Sequence, residues 1–502
     1  MPHRDQGIDV AADGMTLGGS PWLIRRWRQS FALDVRSLAV YRMALGLLLC
    51  TDFIQRLRSF RFMFAVDGIF PPAAIRRSYA DPTVWSLAFL HDTTWWNGVI
   101  LGLEGVAGVL LVVGLATRFA TVVGWIAVMS VIRRTGIASC GGDAWLACQL
   151  FWSIFIPLGT AWSWDARRTA NVRQARRAEQ VCSIATTALV LQLIFVYVSA
   201  GVQKCNPSWF AGNALMHALS VHDHGTPFGE ALARSGFVGN SLAWGVVALE
   251  AGAPFLLLVF PTVGMRYMLI AVFVAFHAAI GLTMTVGLFV PIGMAAWIPI
   301  LPSATWSRGE AGSKPVIVTG LHRSAAAVCA VALALAAGSW VNALLWRAVL
   351  PRGVVAALNI AGLHQDWQMF GVVLGEEQWV YARAELADGR VVDLLREGRP
   401  CRGGRPDGGF TTLPDNRWHC ICWCIGSPAQ STVAAEIAAG LARRWNSQHG
   451  PFAHVRTVEI RQARQRTDAS ATIERERLVA SWPPRDAAGA GNLERFLGGA
   501  AD

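Results

Sequence analysis

Charge is scarce in this chain of 502 residues. Asp, Glu, Lys and Arg make up 15% of it, where soluble domains carry about 25%. That deficit excludes an ordinary water-soluble globule for most of the length. Lysine is almost missing: Lys204 and Lys314 stand alone among 44 basic residues. A guanidinium keeps its proton inside a protein, whereas a buried amine can give it up. Each lysine therefore marks a place where arginine does not serve. The ten cysteines contain no paired CxxC motifs, which argues against a zinc site. No apolar leader core precedes the polar and then basic opening (Arg25, Arg26, Arg28), so no cleaved signal is expected. No basic face with interleaved aromatics stands on a soluble stretch. The net charge of +11 is thus read as an arginine bias in loops rather than as nucleic-acid binding. Neither a solenoid repeat nor a pair of related halves is visible.

What is abundant is apolar. Hydrophobic residues make up 53% of the chain, with 22 Trp, and indole rings favour the headgroup level of a bilayer. Apolar runs lie at about 37–57, 96–117, 118–133, 143–161, 181–203, 236–261, 264–283, 285–302 and 323–349. A crossing helix needs about 20 such residues, so the runs at 118–133 and 285–302 are short. The expectation is an all-α polytopic membrane bundle of about nine transmembrane helices with a small α+β or mostly-β C-terminal domain. Its divisions are a cytoplasmic segment 1–30, a transmembrane domain 31–350, a soluble domain 351–467 and a disordered tail 468–502.

Three basic stretches orient the bundle: the opening arginines, DARRTANVRQARRAEQ (165–180), and the 303–322 loop with Arg308, Lys314 and His322. Four runs separate the first two stretches and four more the last two, so all three fall on one side. Basic loops mark the cytoplasmic side, which places the tail outside, in an inner (plasma) membrane. Arg133 and Arg134 break the rule. They either snorkel to headgroups or form a buried anion site.

From about 355 the pattern becomes alternating, with a DGR turn at 388–390, a helical stretch at 429–447 and an edge strand at 454–466. Cys401, Cys420, Cys422 and Cys424 are disulfide candidates if the tail lies outside the cytoplasm. Cys50, Cys140, Cys148, Cys182 and Cys329 read as small packing residues.

The densest chemistry is YVSAGVQKCNPSWFAGN (197–213). Small residues there let a helix approach, Lys204 ends the run, and Trp209 follows a proline break. Lys204 is either an interfacial anchor or a base in a dry cleft. Arg42, Asp52, Glu104, Asp143, Glu250 and His277 also interrupt apolar runs. Such groups usually face the bundle interior with a partner.

DVRSLAVYRMALGLLLCTD (34–52), PLG…WSWD (157–165), YVSAGVQKCNPSWFAGNAL (197–215) and FHAAIGLTMTVGLF (276–289) resemble, in order, the HTTM domain shared by vitamin K-dependent γ-glutamyl carboxylase and bacterial relatives. The resemblance covers about 30–350, and QDWQMF (365–370) with the strands after it resembles the bacterial extracytoplasmic module. It implies a lyase-type membrane enzyme using a reduced quinone with O₂ and CO₂ on a glutamyl-type peptide or protein substrate. By that match Lys204 is the base and His277 a family histidine. Asp143 stands where the family has a second catalytic histidine, and an acidic group there repels a glutamate carboxylate. Arg133, Arg134, Trp209 and Glu250 are expected to line the substrate site. Two other classes remain open: a proton-coupled carrier, and a non-catalytic maturation or immunity factor. The bilayer is a partner in each.

Overall fold

Apolar residues without interrupting charge favour helices whose backbone groups are satisfied internally, as a bilayer demands. The computed structural model describes residues 21–79, 81–168, 178–220, 225–235, 239–306, 316–318, 323–345, 350–365, 367, 369–371, 376–401, 417–425, 431–466 and 475–484. Among them, seven helices are long and apolar enough to cross a membrane. They are α2 (Val35–Arg58), α3 (Thr94–Val113), α4 (Thr117–Ala138), α6 (Ile184–Gln203), α7 (Asn240–Val259), α8 (Val263–Thr283) and α10 (Arg323–Leu344). A short basic helix, α1 (Pro21–Phe31), precedes them.

The run at 118–133 is a full-length helix, α4. The two short pieces are α5 (Gly141–Ser153) and α9 (Phe289–Ile300). The 13 residues of α5 reach only about 20 Å, against about 30 Å of hydrocarbon. The two pack together inside the bundle. A Cβ on Gly142 would stand 3.2 Å from the Phe289 backbone, and the Gln149 amide donates to the Ile292 carbonyl at 3.4 Å. Close approach of α2 and α3 has a similar basis. A Cβ on Gly46 would lie 2.6 Å from the Gly108 carbonyl oxygen.

One end of the bundle is tied by a small sheet. β1 (Leu33–Asp34) pairs with β2 (Ala178–Val181), which pairs with β3 (Val316–Val318). This brings the described residues at or beside the three basic stretches of the sequence to the same end. Arginines clamp the backbone there. Buried Arg42 donates to the carbonyls of Leu158, Ala161 and Trp162, and Arg266 to those of Gln29, Ser30, Ala32 and Ile300. Asp165 accepts from the amides of Ala116 and Thr117, both at 2.8 Å, and so caps α4.

The bundle does not stop at 350. α11 (Arg352–Ala361) is a helix, not a strand. Leu358, Leu363 and Trp367 belong to the same apolar core as the membrane helices, because this segment buries its large side chains between α5 and α6.

The C-terminal unit is a five-stranded sheet in the order β6-β5-β4-β7-β8. Its strands are β4 (Glu376–Leu386), β5 (Val391–Asp393), β6 (Arg399–Pro400), β7 (Val455–Arg466) and β8 (Arg475–Trp482). The hairpin turn falls at the expected place, where Gly389 takes φ +84° and Asp388 accepts from the Arg390 amide at 3.0 Å. Alternate residues Val380, Ala382, Ala384 and Leu386 face helices α12 (Arg417–Ile425) and α13 (Ser431–Gln448).

Two expectations are corrected. β7 is an inner strand, because 475–482 is not disordered but pairs with it along its length. The reason is side-chain chemistry that composition hides. Arg461 binds Glu459 and Glu476, and the Tyr381 hydroxyl donates to Glu476 at 2.5 Å. The rest of the expected disordered tail, 468–474 and 485–502, lies outside the described residues, as do 1–20 of the N-terminal segment.

Burial opposes ionisation of Glu476, yet Tyr381 and Arg461 outweigh it and hold the carboxyl below its ordinary value of 4.5. A depressed carboxylate contributes stability above its unfolded value and loses it as pH falls through the folded one. Wild type should therefore melt above Glu476→Gln at pH 7, and the gap should close as pH drops below about 4.5. A gap that widens on acidification would contradict this sign.

Candidate active site

Lys204 caps the C-terminal end of α6, one residue past Gln203, and its side chain is only 4% exposed. The amine lies 2.6 Å from Glu250 Oε2 on α7 and 3.3 Å from the Ala200 carbonyl oxygen. Gly201 makes this possible, since a Cβ there would collide with the Ala251 backbone, and the two helices meet at that point. The chain then breaks at Asn206-Pro207. Asn206 caps the next turn by accepting from the Trp209 amide at 3.2 Å. That turn brings the Trp209 ring to 5.4 Å from the Lys204 amine, a cation–π distance.

A segment from beyond the last span roofs the site. The Asn206 amide donates to the Gly371 carbonyl, and the Trp209 indole to that of Phe370, both at 2.7 Å. Further in, Gln192 donates to Gln365 at 2.7 Å and the Trp367 indole to the same oxygen at 2.8 Å. Gln365, Trp367 and Phe370 therefore pack on the helical bundle rather than in the strand module, Phe370 at the site itself.

His277 lies deeper and is fully buried. The Trp297 indole donates to the Tyr197 hydroxyl at 2.8 Å, and that hydroxyl is 2.7 Å from His277 Nε2. An indole N–H only donates. The tyrosine oxygen accepts from it and shares a second hydrogen bond with Nε2. Among the described residues Nδ1 has no partner, inside a box that includes Trp145 and Phe289. Gly293 is required beneath the ring, where any Cβ would overlap the imidazole. Tyr197 is two helical turns before Lys204 on one face of α6, about 10 Å along the axis.

Asp143 goes elsewhere. At the start of α5 it accepts from Arg56 at 3.0 Å and from Arg417 at 2.9 Å. The same two arginines hold Asp52, at 2.7 and 2.5 Å, with buried Glu104 beside it. Arg417 comes from α12 in the C-terminal unit, and one turn on Cys420 is disulfide-bonded to Cys140. Cys140 is thus no mere packing residue, while Cys401, Cys422 and Cys424 form no disulfide among the described residues. The tail is clamped to the bundle by charge and by a covalent bond at one spot.

Arg133 and Arg134 are buried and neither reaches headgroups nor converges on Lys204. Arg133 donates to the carbonyls of Trp85 and Asn359 and stacks on the Trp85 ring at 4.9 Å. Arg134 points at the Phe64 carbonyl, 3.4 Å away. The structure brings together Lys204, Glu250 and Trp209, with His277 one layer below. Tyr197, Trp297 and Arg417 were missed in the sequence. Only Tyr197 carried a signal, its spacing of seven from Lys204.

A family model described as the HTTM domain matches residues 31–306. No curated protein and no solved structure matches the chain.

Removing Arg417 leaves two buried carboxylates short of a cation. Arg417→Ala should cost about 3–5 kcal/mol, read as a lower unfolding midpoint. Cys140→Ser keeps the ion pairs and should cost about 2–4 kcal/mol. An Arg417→Ala protein that melts with wild type would refute the clamp.

Proposed function

The chain belongs to the HTTM domain family, and on that premise we propose that it is a carboxylase-like membrane enzyme in which Lys204 acts as base toward a reduced quinone. The observation that carries this reading is the buried lysine–glutamate pair. Elsewhere in the membrane domain fixed cations are guanidinium groups: Arg42, Arg56, Arg133 and Arg266 clamp carbonyls or carboxylates. Lys204 is the exception, and it sits where a movable proton has a use.

The residues suit a quinone. A phenolic hydroxyl needs a proton acceptor, which the Lys204 amine supplies, and a ring needs an aromatic or apolar wall, which Trp209 supplies. The exposed faces of α7 and α8, with Phe255, Val259, Val263 and Val272, leave an apolar flank toward lipid. When bound, a reduced quinone supplies with O₂ the strong base that removal of a glutamate C–H requires before CO₂ adds.

The chain's own part is proton handling. The pair holds one proton between Nζ and the Glu250 carboxylate and is neutral overall. Accepting a second at Nζ, while Glu250 keeps the first, makes a cation beside the phenolate that remains. Trp209 and the Phe370–Gly371 roof keep water out. His277 is held in place by the hydrogen-bonded chain through Tyr197 to Trp297. Asp143, Arg133 and Arg134 are structural in this reading. Because Asp143 is held by Arg56 and Arg417, the repulsion expected from it is neutralised at source.

We read nine passages of the chain, seven long helices plus the α5 and α9 segments. The end bearing β1–β3 and its arginines lies in the cytoplasm and the tail outside, in the inner membrane. The Cys140–Cys420 bond supports that orientation, since disulfides persist in oxidising compartments.

Assays of quinone epoxidation and labelled CO₂ incorporation in purified membranes test the proposal. Lys204→Ala and Lys204→Arg should lose about 10²- to 10⁴-fold in both, and Glu250→Gln should move the pH profile. Variants that fold and match an active wild type would overturn it.

A further inference from the structure

A cleft of about 510 Å³ opens between the outer end of α2 and the C-terminal unit. Its walls include Phe62 and Trp418, 5.3 Å apart, and Trp445. Two arginines face it, Arg58 at the end of α2 and Arg444 on α13. Arg444 stands over Phe62, 4.7 Å from the ring centroid, and its side chain is exposed. Glu397 also lines the cleft, held there by a left-handed backbone at φ +53°. Among the described residues none of the three makes an ion pair with another side chain. Two cations and one anion lining a single cleft, none of them neutralised locally, call for a ligand that carries both signs.

What lies below the cleft identifies the kind of ligand. Leu47, Ile54 and Leu57 are exposed on α2. Leu47, Ile54 and Arg58 recur at intervals of seven and four, so one lipid-facing stripe of the helix runs up to the arginine. The neighbouring helix α3 adds exposed Val99, Val106 and Val109. An apolar stripe long enough for acyl chains thus ends at a charged, aromatic-walled cleft at the membrane–water boundary.

We propose that this cleft binds a membrane phospholipid with a zwitterionic headgroup. The phosphate diester lies between Arg58 and Arg444, the pairing for which a guanidinium fork is suited. The ammonium meets Glu397, and an acyl chain follows the Leu47–Ile54 stripe. The site is a staple. It spans α2 and the tail, and its wall residues Gln55 and Trp418 adjoin Arg56 and Arg417 of the buried ion network in the chain. Lipid occupancy and docking of the tail are therefore coupled.

Native mass spectrometry of the full-length protein, with phosphatidylethanolamine, phosphatidylglycerol or soluble glycerophosphoethanolamine added, tests this. Wild type should retain phosphatidylethanolamine in preference to phosphatidylglycerol, and the soluble headgroup should not displace it. Arg58→Gln with Arg444→Gln should weaken retention about tenfold or more. Glu397→Gln, on the surface and safe for folding, should abolish the preference between the two lipids. Unchanged retention in the double variant would overturn the site. Displacement by the soluble headgroup would show a free phosphate compound as its ligand instead. An unchanged preference in Glu397→Gln would remove the ammonium assignment.

Discussion

An ionisable group inside an apolar bundle must have a partner, because an isolated charge there costs several kcal/mol even after relaxation. That constraint shapes the whole molecule. Asp52 and Asp143 are met by Arg56 and Arg417, Arg42 and Arg266 by backbone carbonyls, and Lys204 by Glu250. Around the Lys204–Glu250 pair the helices are spaced by glycine, the chain is broken by Asn206-Pro207, and the roof is brought from residues 370 and 371.

The C-terminal unit is part of this arrangement rather than an appendage. Its Arg417 completes a four-membered ion network with Asp52, Arg56 and Asp143, and the adjacent disulfide makes the union covalent. The segment joining the two units passes over the lysine on its way.

Much of this was legible in the sequence. The long helices show as apolar runs with few charges in them, since burial in lipid leaves little choice of residue. The helix ending at Lys204 and the hairpin at Asp388-Gly389 carry local signals, a proline break and a turn. The tertiary partners were hidden. Arg417 lies 365 residues from Asp52 in a stretch with no periodicity, and nothing local marks Cys140 as the mate of Cys420. β8 looked unstructured because its stability comes from Arg461 and Tyr381 on other strands. Asp143 drew attention through the family resemblance, but position along a chain does not reveal which way a carboxylate faces. Glu250 was legible as an intramembrane acid, and its partner only through the scarcity of lysine.

That scarcity also allows a direct look at the central claim. With Lys314→Arg, uniform ¹⁵N-lysine labelling leaves a single amine signal, that of Lys204. The account predicts an Nζ resonance whose protons exchange slowly with water and which shifts when Glu250→Gln is introduced. An amine that exchanges as freely as a solvent-exposed lysine, and that ignores the loss of Glu250, would contradict it.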